Sequence, residues 1–217
     1  MAPLPRIPAA HQRQAEDGIL IGNQVDKSAL GNPVSRRLVA GFDAALLALI
    51  AAGNGTPGTV HEVGCGEGRL SRLLRDRLGV PIRASDFSRE LVAENQARGE
   101  PGIEYIARSV YDLQAGDDRA ELIVCCEVFE HLERPADALA ALRRLGASAY
   151  IISVPREPLW RVLNLVRGKY VSALGNTPGH LQHWSRGSFA GFLARGGFQV
   201  ERCLQPVPWT MVRGRFG

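Results

Sequence analysis

The chain has 217 residues, 45% of them hydrophobic, enough for one substantial core, so a single domain is the default. The net charge of +4 is mild, and with Lys27 and Lys169 as the only lysines it is scattered arginine rather than a basic stripe; this disfavours DNA and RNA as partners. Cys65, Cys125, Cys126 and Cys203 have no C-x-x-C spacing, which argues against a zinc cluster or a disulfide framework. Met1 to Glu16 has no apolar run of the secretory kind, and the longest apolar stretch, Ala44 to Ala52, is too short to span a bilayer. A cytoplasmic location is therefore expected.

Residues 1–32 are polar and interrupted by prolines and read as an irregular arm. A helix is predicted from Pro33 to Ala52, because Val34, Leu38, Phe42, Leu46 and Ile50 recur at helical spacing and proline suits a first-turn position. Gly53-Asn54-Gly55-Thr56-Pro57-Gly58 breaks it. Then comes Val60-His61-Glu62-Val63-Gly64-Cys65-Gly66-Glu67-Gly68-Arg69-Leu70: an apolar run carrying an acid, three alternating glycines, and a helical pattern through Leu73, Leu74 and Leu78. That is a strand, a tight turn and a helix start. The glycines admit positive φ and close approach of a ligand, towards which the opening helix amides point. Glu62 stands where a pyrophosphate site would avoid negative charge, and the glycine spacing differs from the G-x-G-x-x-G of dinucleotide sites. An acid there suits a ligand ammonium group.

A second strand, Val80 to Asp86, ends in another acid about twenty residues past the glycine turn, a distance at which a carboxylate can accept both hydroxyls of a ribose. The alternative is a helix cap, a role that Ser88 fills equally well before Arg89-Glu90-Leu91. Further strands are predicted at Ile103 to Ala107, at Glu121 to Cys126 (nearly all apolar, as a buried parallel strand requires) and at Tyr150 to Pro155, with a helix over Ala136 to Leu145. After the long segment Arg156 to Gly179 come a helix, Arg186 to Arg195, and two strands, Phe198 to Leu204 and Trp209 to Arg213. The expected fold class is α/β: one Rossmann-like doubly wound sheet, mostly parallel with an antiparallel closing strand, and helices on both faces. Gly64, Asp86, Ser109 and Glu127 would gather at the carboxyl ends of its strands, where such sheets bind ligands.

The pattern Glu62-x-Gly64-x-Gly66-x-Gly68 resembles the first motif of the class I S-adenosylmethionine-dependent methyltransferases, and the resemblance runs from about Gly53 to the C-terminus. It implies that Glu62, Gly64, Gly66 and Gly68 hold the methionine end of S-adenosylmethionine and that Asp86 holds the ribose, with Cys65 and Phe87 as further cofactor-binding residues. Ser109 stands where relatives commonly carry an acid facing adenine, with Val110 beside it, and Cys126 is a further cofactor-binding candidate. The resemblance divides the chain into an arm (1–32) and one domain (33–217), with a substrate-side insert at 156–185. Within the insert, Leu159, Trp160, Val162, Leu163, Leu165 and Val166 alternate with Arg161, Arg167 and Lys169. Residues 159–171 form either a cap packed on the core or an amphipathic surface for membrane contact or a lipophilic substrate.

Acceptor chemistry is expected beyond the fourth strand of the sheet. If a helical turn begins at Glu127, then Glu127, Glu130 and His131 share one face, and two carboxylates and an imidazole there resemble half of a divalent-metal shell. His180 would be a fourth ligand, a better one than His183. This E-x-x-E-H with a distant histidine is similar to two metal-assisted groups, the ubiquinone-pathway O-methyltransferases and the small-RNA 3′-end 2′-O-methyltransferases. In both, a metal such as Mg²⁺ would lower the pKa of the acceptor hydroxyl. Without a metal, His131 and Glu130 are the catalytic candidates, and the histidine acts as a base or shapes the pocket. His61, on an apolar strand, reads as structural.

The expectation is therefore methyl transfer to a hydroxyl of a small molecule. Rival readings are a small-RNA methyltransferase, for which no basic, aromatic-lined accessory region is visible, and a cofactor-binding module without turnover. A nicotinamide-dependent oxidoreductase is opposed by Glu62.

Overall fold

The computed structural model describes residues 33–166, 168, 170–177 and 179–217, together with the backbone of Ala15–Glu16 and Ile19–Leu20. Those two short strands, β1 and β2, pair antiparallel, so the arm holds more regular structure than its composition suggests. The rest of the arm, and Arg167 and Lys169 of the insert, lie outside the described residues.

Helix α1 (Pro33–Ala51) leads into β3 (Val60–Val63), α2 (Arg69–Leu78), β4 (Ile82–Asp86), α3 (Arg89–Ala97) and β5 (Ile103–Ala107). Then follow β6 (Leu122–Cys126), α4 (Pro135–Arg144), β7 (Ala149–Pro155), α5 (Leu159–Val166), α6 (Arg186–Arg195), β8 (Phe198–Leu204) and β9 (Trp209–Phe216). Seven strands form one sheet in the order β5-β4-β3-β6-β7-β9-β8. The first five are mutually parallel, and β9 lies antiparallel between β7 and β8. The chain thus starts in mid-sheet, winds outward to β5, returns across β3 to β6, and leaves a crevice above β3 and β6 where the direction reverses.

Strand periodicity explains why the central strands read as continuous apolar runs. Along β6, Leu122, Val124 and Cys126 join a cluster with Phe42, Leu46 and Leu49 of α1 and Leu70 and Leu74 of α2. Ile123 and Cys125 join the opposite cluster, with Leu139 and Leu142 of α4 and Phe189 and Leu193 of α6. Both faces are covered, so no polar alternation survives. The helix boundaries have local causes: Gly79 in the left-handed region closes α2, and Ser185 with Ser188 forms a capping box at the start of α6.

Phe129 connects this core to the loop beyond β6. It is fully buried, sits edge-on to Phe192 with centroids 5.8 Å apart, and stands between Glu127 and His131 in sequence. Phe129→Ala should cost about 3–5 kcal/mol of stability, read as a lower denaturant midpoint at an unchanged slope. A loss below about 1 kcal/mol would mean that the loop does not depend on the core.

Candidate functional site

The turn between β3 and α2 is held by the end of β4. Gly64 and Cys65 donate their amides to the Ser85 carbonyl at 2.8 and 2.9 Å, and Gly66 donates to Asp86 Oδ2 at 2.8 Å. Gly64, Gly66 and Gly68 have φ of 79°, 51° and 76°, a region that glycine enters without strain. Gly64 also needs to be small: a Cβ there would stand 2.3 Å from Val128 Cγ2, so the turn packs directly on the loop beyond β6. At Gly66 a Cβ would meet nothing within 4 Å; this part of the turn faces open space, as a cradle for a ligand should. Asn95 of α3 donates to the Gly66 carbonyl at 2.8 Å, and Arg69 holds both carboxylate oxygens of Asp43 on α1 at 2.9 Å.

Two acids border this cradle. Glu62 is buried, accepts from Ser71 Oγ, and burial pushes its carboxyl up to about 8. Asp86 accepts the Gly66 amide on Oδ2 and the Ser88 amide (3.0 Å) on Oδ1. A carboxylate oxygen has two lone pairs and can accept more than one hydrogen bond. Ser88 caps α3 by accepting from the Leu91 amide, so Asp86 is not the cap. Phe87 stands half-buried between them. Ser109 follows β5 and accepts from the Tyr111 amide at the start of a 3-10 turn. The side chains of Val110, Cys65 and Cys126 are buried in core clusters, and burial raises both thiols well above their usual range, so any contact they offer a ligand is apolar. His61 is buried beneath the turn. Its Nδ1–H donates to the Asp118 carbonyl at 2.7 Å and its Nε2 accepts from Ser85 Oγ at 2.8 Å, which makes it structural and neutral.

The loop beyond β6 differs from the simple helical reading. Glu127 has a left-handed backbone, φ 59°, and the 3-10 turn begins only at Phe129. Glu127 therefore does not share a helical face with Glu130 and His131. Its carboxylate accepts from Trp209 Nε1 at 2.6 Å and from Ser153 Oγ at 3.2 Å. Glu130, His131 and His180 do converge, with one ligand atom of each within 4.8 Å of the others. Both Glu130 carboxylate oxygens are buried without a hydrogen-bond partner among the described residues, and burial and the neighbouring Glu127 drive its pKa upward. The Gly179 carbonyl can only accept, so His131 Nδ1 carries the proton in their 3.0 Å bond and Nε2 keeps its lone pair. His131 and His180 stand edge-to-face at 5.0 Å, and burial keeps both neutral, with His180 down to about 3. Neutral imidazoles and an orphaned carboxylate are the donor set a divalent ion accepts.

The insert supplies a wall to this site. Trp160 Nε1 donates to Thr177 Oγ1 at 2.8 Å, which sets its ring over His180 and beside Trp209, both at 5.8 Å; Trp209 meets Phe42 edge-on at 5.0 Å. Sequence reasoning missed Trp209, Ser153, Ser71 and Asn95. Ser153 had a signal, as a polar residue inside an apolar strand. Trp209 had none, because its contact with Glu127 spans 82 residues.

The family description "Methyltransferase domain" matches residues 36–202. The chain belongs to that family, and its fold and glycine turn are those of a class I S-adenosylmethionine-dependent methyltransferase. Among particular proteins it is 25% identical over 123 residues to the ubiquinone biosynthesis O-methyltransferase of Pseudomonas paraeruginosa, covering 54% of this chain and 53% of that one. It is 31% identical over 121 residues to the mitochondrial ubiquinone biosynthesis O-methyltransferase of Schizosaccharomyces pombe, covering 52% and 43%. These matches span about half the length of the curated relatives. In fold it resembles magnesium protoporphyrin IX methyltransferase from Synechocystis, crystallised with bound SAH, at a TM-score of 0.64 and 20% identity over 86% of this chain and 88% of that one.

A ligand ammonium placed at Glu62 would give the cradle a pH dependence. With its carboxyl near 8, the empty folded protein keeps a proton there at pH values where a free glutamate is ionised. A ligand ammonium favours the ionised form, so binding expels the proton. Affinity for S-adenosylhomocysteine should therefore rise with pH by up to about tenfold per unit below pH 8 and level off above it. Calorimetry at several pH values checks this, with Glu62→Gln flattening the profile. An equal slope in the variant would remove Glu62 from the linkage.

Proposed function

We propose that the protein transfers the methyl group of S-adenosylmethionine to a hydroxyl of a small molecule. The observation that carries the acceptor chemistry is the orphaned Glu130 carboxylate beside two neutral histidines, in a loop that packs through Val128 onto the glycine turn. When bound, S-adenosylmethionine supplies a methyl carbon on a sulfonium leaving group. The chain's work is then to hold donor and acceptor in line. Glu62 and the turn amides fix the methionine end, Asp86 fixes the ribose, and the aromatic wall of Phe42, Trp209 and Trp160 excludes water and favours a flat acceptor. His131 Nε2, with its free lone pair, takes the hydroxyl proton as the oxygen attacks.

The same three side chains also fit a divalent ion such as Mg²⁺, which Glu130, His131 and His180 would hold and which would lower the pKa of the acceptor hydroxyl. The partial likeness to ubiquinone biosynthesis O-methyltransferases supports oxygen as the methylated atom.

Glu130→Ala and His131→Ala should each lower turnover of a hydroxylated acceptor by roughly 10²-fold or more while leaving affinity for S-adenosylhomocysteine nearly intact. If a metal takes part, chelator should produce a similar loss in the wild type; full turnover in chelator would rule it out. Saturable cofactor binding with turnover indifferent to both substitutions would favour a cofactor-binding module without catalysis at this loop.

A further inference from the structure

Gly66 has no side chain, and nothing stands within 4 Å of where one would begin, so packing does not set the direction of its peptide groups. Two hydrogen bonds do. Its amide donates to Asp86 Oδ2 at 2.8 Å, and its carbonyl accepts from Asn95 Nδ2 at 2.8 Å. Asn95 lies on α3 and is fully buried. An apolar residue would pack there as well, and a buried amide is costly unless its bonds are met. They are met: Oδ1 accepts from the Arg98 guanidinium, which can only donate, and Nδ2 faces a carbonyl, which can only accept, so the amide has one orientation. The same helix holds the other oxygen of Asp86, because the Ser88 amide at its start donates to Oδ1 at 3.0 Å. Ser88 and Asn95 stand about two helical turns apart, so one rigid element closes a ring that runs from Ser88 to Asp86, on to Gly66 and back to Asn95.

We propose that Asn95 is a positioning residue for the cofactor. By holding the Gly66 carbonyl it fixes the Gly66 amide, and through that amide it fixes the rotamer of the Asp86 carboxylate, the group assigned to the ribose. The inference rests on that assignment of Asp86. Without the Asn95 bond, Gly66 regains the wide backbone freedom of its residue type, and the carboxylate can swing about the Ser88 amide. Two neighbouring ribose hydroxyls need two acceptor oxygens in set places, and a carboxylate that must be ordered on binding holds them less tightly. Asn95 thus acts through Gly66 and Asp86 rather than by touching the ligand.

The test is a double-mutant cycle read by calorimetric affinity for S-adenosylhomocysteine. The proteins are the wild type, Asn95→Leu, Asn95→Asp, Asp86→Ala and the double variant Asp86→Ala/Asn95→Asp, at matched fold content by circular dichroism. Asn95→Leu keeps the size of the side chain without its polar atoms. Asn95→Asp keeps the acceptor for Arg98 and removes the donor to Gly66. Each should weaken binding about tenfold, the scale of one buried hydrogen bond left unmet. In the Asp86→Ala background, Asn95→Asp should cost less than about twofold more, because the group through which it acts is gone. A merely loosened turn would weaken binding alike in both backgrounds. Asn95→Leu takes the place of Asn95→Asp in the cycle if the latter does not fold. Wild-type affinity in either folded Asn95 variant, or losses that multiply in the double variant, overturns this inference alone. No binding by the folded wild type, or equal affinity in wild type and Asp86→Ala, overturns it together with the assignment of Asp86 to the ribose.

Discussion

The grip of β4 on the glycine turn is the constraint from which the site follows. Two amides on the Ser85 carbonyl and one on Asp86 bind the turn to its neighbouring strand, so the carboxylate that ends β4 also fixes the loop beside it. His61 and Asp118 brace Ser85 from below, and Arg108 and Arg83 pair with the buried Asp118 carboxylate. Each neutral hydrogen bond contributes only about 1 kcal/mol net, but leaving a buried partner unmet costs more. The network therefore specifies one turn geometry more than it adds stability. Gly64 transmits that geometry across the crevice by lying against Val128, which places the loop beyond β6 relative to the turn.

Charge in the interior is handled in two contrasting ways. Beneath the turn, Asp118 is buried but saturated with donors, and its pKa is held low. Above the sheet, Glu62 and Glu130 are buried and Glu127 half-buried; Glu62 has one side-chain donor and Glu130 none among the described residues, and all three are pushed up. The first arrangement stabilises a structure. The second holds acids whose ionised form a nearby cation or ammonium group would favour, the kind of perturbation that gathers at functional sites.

The fold was legible because its signals are local. Apolar runs flanked by glycine and proline located every strand of the large sheet to within a few residues, and the motif at Glu62 to Gly68 placed the crevice. The paired strands in the arm gave no signal, since two residues each carry no periodicity. In the site, Glu130, His131 and His180 were named from residue type and spacing, and the structure brings them together. Glu127 was misjudged because helical spacing presumes a helical backbone, whereas a left-handed residue and a long-range indole contact set its direction. Asp86 was separable from the capping role only once Ser88 was seen to accept from Leu91.

The central claim is that the crevice at Asp86 and the glycine turn holds S-adenosylmethionine. The most direct measurement is calorimetric titration of the whole chain with S-adenosylhomocysteine, repeated with Asp86→Ala at matched fold content by circular dichroism. Saturable one-to-one binding in the wild type that falls at least about tenfold in Asp86→Ala is the predicted result. Absence of binding in the folded wild type, or equal affinity in the two proteins, would contradict it.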